Sequence, residues 1–154
     1  EYLSFMNDII YKHQGTIDKF IGDAIMVIFG APVEIVPQEQ ARRGIACALE
    51  MQNRMSELND KWGNENIPTI QMRIGLHFGP LVVGNFGGEK RSDYTAIGST
   101  VNLASRIETA CEPGEIYMSG EICDFLGESE FEEAGSFSLK GLDGKTYLYK
   151  LKRT

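Results

Sequence analysis

Residues 16–30 read TIDKFIGDAIMVIFG, and this stretch predicts a β-hairpin. Apolar residues precede a tight turn at residues 21–23, and residues 24–29 follow the turn with no polar interruption. An apolar run of this kind is typical of a strand that is covered on both faces. The hairpin also presents a lysine and an aspartate four positions apart, Lys19 and Asp23.

Two interpretations of Lys19 and Asp23 stay open on these residues alone. In the first, Asp23 fills a turn position beside Gly22 for its local hydrogen bonds, and the Lys19 stem packs while its ammonium reaches water. In the second, a carboxylate at a rigid hairpin tip binds a hard cation, and the lysine donates to a ligand.

The composition predicts one folded domain over residues 1–154, because 42% of the residues are hydrophobic and 24% are charged. The net charge of −7 provides no general basic surface, so we expect no nucleic-acid partner. The sequence contains no apolar run of the ~20 residues that cross a bilayer and begins without a signal peptide, so any membrane anchor is expected elsewhere in the full protein.

The three cysteines, Cys47, Cys111 and Cys123, are an odd number and lack a CxxC spacing. This pattern favours neither a disulfide framework nor a zinc site, and we interpret the cysteines as reduced in a cytoplasmic protein. The two histidines, His13 and His77, are too isolated to indicate a metal site or a catalytic triad.

The remaining pattern predicts hairpins of strands between helices. Gly15 is expected to end the first helix, Pro37 to begin the second, and Gly98 and Ser99 to cap the third. We interpret the glycine-rich stretch 87–91 as a hairpin loop rather than a phosphate cradle, since no strand-loop-helix context surrounds it. Helices are predicted over 2–13, 37–64, 100–111 and 122–126, and strands over 70–78, 81–86, 94–97, 116–118, 131–139 and 146–151.

Strands in hairpins between helices favour an α+β fold with helices on one face of a sheet, rather than a doubly wound parallel sheet. Residues 18–26, DKFIGDAIM, and residues 94–106, YTAIGSTVNLASR, then identify a family. Their order and separation resemble the catalytic domain of class III nucleotidyl cyclases, especially bacterial adenylyl cyclases of the cyanobacterial, bicarbonate-responsive type. Weaker similarity covers nearly all of the chain.

The resemblance implies a ferredoxin-like core with a largely antiparallel sheet and helices packed on it, N-terminally truncated so that the first strand is missing. It also implies a reaction in which the ribose 3′ hydroxyl of a nucleoside triphosphate displaces pyrophosphate from the α-phosphate, helped by two ions of Mg²⁺ or Mn²⁺. Asp23 matches the second of the family's two metal carboxylates. No residue of this chain matches the first.

Lys19 and Thr95 match the pair that contacts the purine, and lysine with threonine or aspartate is the adenine-reading combination in the family. The chemistry agrees, because lysine donates to an adenine ring nitrogen and a hydroxyl can accept from the 6-amino group. The resemblance therefore implies ATP as substrate and 3′,5′-cyclic AMP as product. Guanylyl cyclases tend to have glutamate and cysteine at these two positions.

The helix predicted over 100–111 places Asn102 and Arg106 on the side opposite its apolar face. They match the family's transition-state residues, with Asn102 orienting the ribose and Arg106 facing the phosphates. Lys140 matches a lysine that binds the terminal phosphates, although on the residues alone it is equally an exposed turn lysine. Because family sites combine residues from two subunits, the resemblance implies a homodimer with two sites.

Three possibilities remain open. The leading one is an adenylyl cyclase in intracellular signalling. The second is a catalytically silent module for binding or dimerisation, because one metal carboxylate is missing, and the third is a guanylyl cyclase. The resemblance also implies a sensor or regulatory domain elsewhere in the full protein, whose signal the sequence does not reveal.

Overall fold

The computed structural model describes residues 2–21, 23–31, 33–80, 82–85, 94–140, 142 and 144–152. The described helices are α1 (Tyr2–Lys12), α2 (Pro37–Asn64), α3 (Ser99–Ala110) and α4 (Gly120–Leu126), with a short 3₁₀ helix at Glu128–Glu130. The described strands are β1 (Thr16–Ile21), β2 (Ala24–Ile28), β3 (Ile74–Leu76), β4 (Val82–Asn85), β5 (Tyr94–Ile97), β6 (Ile116–Ser119), β7 (Phe131–Phe137) and β8 (Thr146–Leu151).

The strands form three sheets within the described residues. A four-stranded sheet has the order β3-β6-β8-β7, and two-stranded sheets join β1 to β2 and β4 to β5. Every pair is antiparallel except β3 with β6. The predicted α+β class with a largely antiparallel sheet is therefore confirmed.

The end of α1 differs from the prediction that Gly15 terminates it. Gln14 takes the left-handed conformation, with φ of 62°, and the Gly15 amide donates to the Ile10 carbonyl oxygen at 2.9 Å. The reason for a glycine at position 15 is steric instead, because a Cβ there would lie 2.9 Å from a methyl of Val27 and 3.0 Å from the Phe29 ring. The glycine lets the helix end pass close over the hairpin.

The β1–β2 hairpin forms as predicted, and Gly22 in its turn lies outside the described residues. The Thr16 hydroxyl donates to the Ala31 carbonyl oxygen at 2.6 Å and closes the base of the hairpin. The prediction that residues 24–29 are covered on both faces is wrong, since Ile28 alone is buried among them. The reason is that β2 pairs with β1 on one edge and borders an open groove on the other.

Helix α2 contributes an apolar stripe to the core of the domain. Its stripe packs against α1 and against the inner face of the hairpin, where Ile17, Ile25 and Val27 contact the cluster. The Arg54 guanidinium lies 4.0 Å above the centre of the Phe5 ring and covers the edge of the α1–α2 contact. The buried members of this first cluster are Met6, Ile9, Ile10, Cys47, Met55, Leu58, Trp62 and Met72.

The strand predicted over 70–78 is confined to Ile74–Leu76. Side chains of α2 bind the backbone that precedes it. Asn59 donates to the Ile70 carbonyl oxygen at 2.7 Å and accepts from the Ile70 amide at 2.9 Å, and Gln52 donates to the Met72 carbonyl oxygen at 2.9 Å. This backbone is therefore held by a helix instead of a neighbouring strand.

Several other predicted boundaries shift by one to three residues. Helix α3 begins at Ser99 with Gly98 as its N-cap, and no side chain caps it, so the predicted Ser99 cap is wrong. Strand β7 ends at Phe137 and α4 begins at Gly120. The strand predicted over 81–86 is described as Val82–Asn85, and the predicted loop 87–91 lies outside the described residues.

Two further apolar clusters complete the core. The second lies between α2, α4 and the four-stranded sheet, and the third joins α3 to β6, β8 and the segment after β7. None of the helices in the described part of the chain combines the length and apolarity that crossing a bilayer requires.

Replacing Gly75 by alanine should destabilise the fold. A Cβ at Gly75 would clash with the Glu108 amide nitrogen. It would also lie 2.8 Å from the Glu108 Cα and 2.9 Å from the Ala104 carbonyl oxygen. All three atoms belong to the α3 backbone, which cannot move away as a flexible side chain could. We expect the free energy of unfolding to fall by about 1–3 kcal/mol, measured by chemical denaturation.

The matched control for this change is Gly63→Ala. Gly63 lies in the last turn of α2, and a Cβ there would meet no atom within 4 Å. It should leave stability unchanged or raise it by up to about 1 kcal/mol. Equal effects at the two glycines would contradict close packing of β3 on α3.

Candidate functional site

A groove of about 630 Å³ separates the β1–β2 hairpin from the four-stranded sheet. Strands β2 and β3 form its two walls, and α2 and α3 also line it. In the described part of the chain, β2 pairs only with β1 and β3 only with β6, so each strand has an edge with no strand partner beside the groove.

Asp23 lies at the tip of the hairpin, exposed, and lines this groove. The described residues hold no group of three or more histidine, cysteine or acidic side chains that could bind a metal ion. One exposed carboxylate is a suitable ligand for a hard cation, although such ions take six or more oxygen ligands. Asp23 therefore fits a metal site only when other ligands join it.

The groove wall also carries His77 and Cys47. The His77 Nδ1 lies 2.8 Å from the Ser119 hydroxyl, and burial lowers the pKa of His77, with Glu121 at 3.8 Å opposing this shift. Burial, assisted by the charge of Glu50, raises the pKa of the Cys47 thiol to about 11. Burial thus favours the uncharged form of both side chains.

Lys19 lies on β1 beside an irregularity in the strand pairing. Ile17 pairs with Val27 and Lys19 pairs with Met26, so Asp18 is an extra residue in a β-bulge. The Lys19 side chain is 41% exposed, while the Asp18 side chain is completely buried, and their charged atoms lie 3.3 Å apart. The sequence analysis did not single out Asp18, the buried partner of Lys19.

Strand β1 contacts strand β5, which carries Thr95. The structure describes Thr95 by its backbone, which pairs with Gly84 in β4. Strand β5 also contacts α3, which follows it in the chain. Within one chain, β1 with Lys19 therefore lies next to β5 with Thr95. Strand β5 in turn lies next to α3, which carries Asn102 and Arg106.

Helix α3 has the two faces that its sequence predicts. Ile107 is buried in the third cluster together with Cys111, whereas Asn102 is exposed and Arg106 is half-buried. The hydroxyl of Thr100, in the first turn, donates to the Pro80 carbonyl oxygen and ties the helix start to the segment after β3. The backbone contacts at Gly75 hold the middle of the same helix.

Lys140 is exposed in a turn that the Leu142 amide closes by donating to the Leu139 carbonyl oxygen at 3.1 Å. Leu139 is buried against Ile107 of α3 in the third cluster. Gly141, which follows Lys140 in the sequence, lies outside the described residues. The packing of Leu139 connects the Lys140 turn to the helix that carries Arg106.

Among the predicted site residues that the structure describes, Asp23 alone lines the groove. Lys19, Asn102, Arg106 and Lys140 lie on other surfaces. The groove of one chain therefore does not gather all of the predicted site residues, an arrangement that a site shared between two chains accommodates.

Comparisons with known proteins point to one family. The family model described as the adenylate and guanylate cyclase catalytic domain matches residues 1–153. An adenylate cyclase from Anabaena cylindrica is 38% identical over 112 residues, which are 70% of this chain and 21% of that protein. The chain spans about a fifth of the length of the curated relatives that it matches.

Two solved structures share the fold, which confirms the predicted cyclase architecture. The adenylyl cyclase CyaB from P. aeruginosa has a TM-score of 0.92 and 36% identity, with 99% of this chain and 79% of that chain covered. The guanylyl cyclase Cya2 has a TM-score of 0.86 and 36% identity, with 97% and 76% covered. This chain belongs to the family of adenylate and guanylate cyclase catalytic domains.

Proposed function

We propose that this domain is the catalytic part of an adenylyl cyclase that converts ATP to 3′,5′-cyclic AMP and pyrophosphate. The observation that carries the proposal is the placement of Lys19, a half-exposed cation on the strand that contacts the strand of Thr95. Lysine and a threonine hydroxyl together complement the adenine edge, where a ring nitrogen accepts and the 6-amino group donates.

The reaction breaks one bond to phosphorus and forms another. The ribose 3′ oxygen attacks the α-phosphorus, the bond to the bridging oxygen of pyrophosphate breaks, and the 3′ hydroxyl proton is lost. In our proposal Asn102 orients the ribose and the Arg106 guanidinium binds α-phosphate oxygens as negative charge develops on them. Lys140, exposed on its turn, binds the terminal phosphates.

The metal ligands are the least complete part of the site. Bound Mg²⁺ or Mn²⁺ would lower the pKa of the 3′ hydroxyl and neutralise the leaving pyrophosphate. Asp23 supplies one carboxylate. We propose that the full protein contributes a preceding strand that lies in the groove between β2 and β3, pairs with both edges and brings a second carboxylate beside Asp23.

We propose a homodimer in which Asp23 of one chain and the purine-binding and α3 residues of the other complete each site. The absence of those residues from the groove that Asp23 lines supports this arrangement. Three buried cysteines that remain thiols fit a cytoplasmic location, and a regulatory domain elsewhere in the protein would control the dimer.

Guanylyl cyclase activity is the second candidate, because CyaB and Cya2 are equally identical to this chain. Overall identity therefore does not separate the two substrates. Lys19 and Thr95 favour ATP because guanine presents the opposite hydrogen-bonding pattern at the same edge. A silent binding module is the third candidate.

The test is turnover of ATP and of GTP by the full protein with Mg²⁺ and with Mn²⁺. We expect kcat/KM for ATP to exceed that for GTP by at least about tenfold, since a site that leaves polar groups without partners discriminates strongly. A preference for GTP would refute the assignment of Lys19 and Thr95. Turnover of neither nucleotide by a folded dimer would favour the silent module.

A further inference from the structure

The bulge at Asp18 decides which face of the hairpin Lys19 occupies. Residues that pair across an antiparallel ladder lie on the same face, and successive residues alternate. Ile17 shares a face with Val27, which packs against the first apolar cluster, whereas Lys19 shares the opposite face with Met26. In a regular strand Ile17 and Lys19 would share the core face, so the extra residue moves the lysine to the other side.

The Asp18 carboxylate then provides a fixed charge beside the lysine. Its side chain is fully buried, and its Oδ2 lies 3.3 Å from the Lys19 Nζ. The lysine stem is long and flexible and its ammonium remains partly exposed, so without a restraint it would sample many positions. A buried anion next to it favours the positions in which the ammonium stays near the strand.

We propose that Asp18 is a positioning residue for Lys19 and thereby determines how strongly the site prefers one purine over another. The bulge determines which face of the hairpin Lys19 occupies, and the ion pair then orients the Lys19 ammonium toward the purine edge that it binds. This inference rests on the proposed cyclase function. It goes beyond that function because it assigns substrate preference to an acidic residue that does not itself contact the nucleotide.

The test compares Asp18→Asn with Asp18→Glu in the full protein. Asp18→Asn keeps the size of the side chain and removes its charge, so the ratio of kcat/KM for ATP to that for GTP should fall about tenfold. The fall should come mainly from KM for ATP. Asp18→Glu should restore part of the ratio, because it keeps the negative charge.

The matched control is Glu57→Gln, which removes a carboxylate from an ion pair with Arg54 on the surface of α2. This variant should leave the ratio unchanged. A general structural loss in Asp18→Asn would lower turnover of both nucleotides together and leave their ratio intact, and that result would overturn the inference. An inactive parent protein would instead count against the proposed function.

A double variant keeps the inference testable if Asp18→Asn folds poorly. Combining Asp18→Asn with Lys19→Met removes both charges of the pair, so no buried charge is left without its counterion. If Asp18 acts through Lys19, the double variant should have the same ATP to GTP ratio as Lys19→Met alone. A further change of the ratio on removal of Asp18 would contradict the inference.

Discussion

Replacing Arg106 by alanine is expected to lower kcat for cyclic AMP formation about 10³-fold, with a much smaller change in KM. The reason is that a guanidinium facing the α-phosphate binds the charge that develops during phosphoryl transfer more tightly than the charge of the ground state. Helix α3 is held by Ile107 in the core and by backbone contacts at Gly75, so loss of the Arg106 head group should leave the helix in place. Steady-state kinetics on the full protein measure the effect.

Arg106→Lys tests whether a positive charge is sufficient or whether the planar shape of the guanidinium is also required. Lysine keeps the positive charge but loses the planar fork that grips two oxygens, so it should recover only a small part of the lost kcat. Arg42→Ala is the control, because Arg42 is an exposed arginine of α2 paired with Glu39, away from α3. A rise in KM without loss of kcat in Arg106→Ala would show that the residue binds the ground state and the transition state equally.

Local patterns predicted most of the fold. Two examples are the hairpin at residues 16–30 and the two faces of α3. Each depends on residues close together in the chain, and the structure confirms both. The short β3 strand was not predictable in this way. Its length depends on Asn59 and Gln52, which are distant in sequence and bind the preceding backbone.

The candidate site residues also differ in whether the local sequence could predict them. Sequence motifs predicted four of these residues, because each lies in a short segment that matches the family: Lys19, Asp23, Asn102 and Arg106. Asp18 could not, since alternation predicts that it points away from Lys19, and the bulge becomes visible only in the pairing of β1 with β2. The one available signal was an acidic residue directly beside the lysine in an otherwise apolar strand.

The gap between β2 and β3 has a similar explanation. Residues 24–29 have an apolar sequence that predicts a strand covered on both faces, and the described residues leave one edge of β2 and one edge of β3 without a strand partner. The half-buried state of β2 is therefore a consequence of what lies beside it and not of its own sequence. The proposed strand in the groove would bury both edges.

Two inactive variants should restore activity when they are combined. Asp23→Ala removes a proposed metal ligand and should lower kcat about 10³-fold, because metal ions provide several kcal/mol of charge stabilisation. Arg106→Ala removes the phosphate-binding residue of the other chain. Equal mixing of the two, after the dimers have exchanged chains, should give about a quarter of the parent activity, since half of the dimers are mixed and each has one intact site.

The opposite combination provides the control. A chain with both changes, mixed with the parent chain, forms mixed dimers in which each site has lost either Asp23 or Arg106. An excess of this double variant should therefore inhibit the parent chain, because it draws parent chains into dimers that have no intact site. If each chain carried a complete site of its own, the double variant would leave parent activity unchanged and the first mixture would stay inactive. Cyclic AMP formation and analytical ultracentrifugation on the same samples distinguish the two arrangements, since the second method shows that mixed dimers have formed.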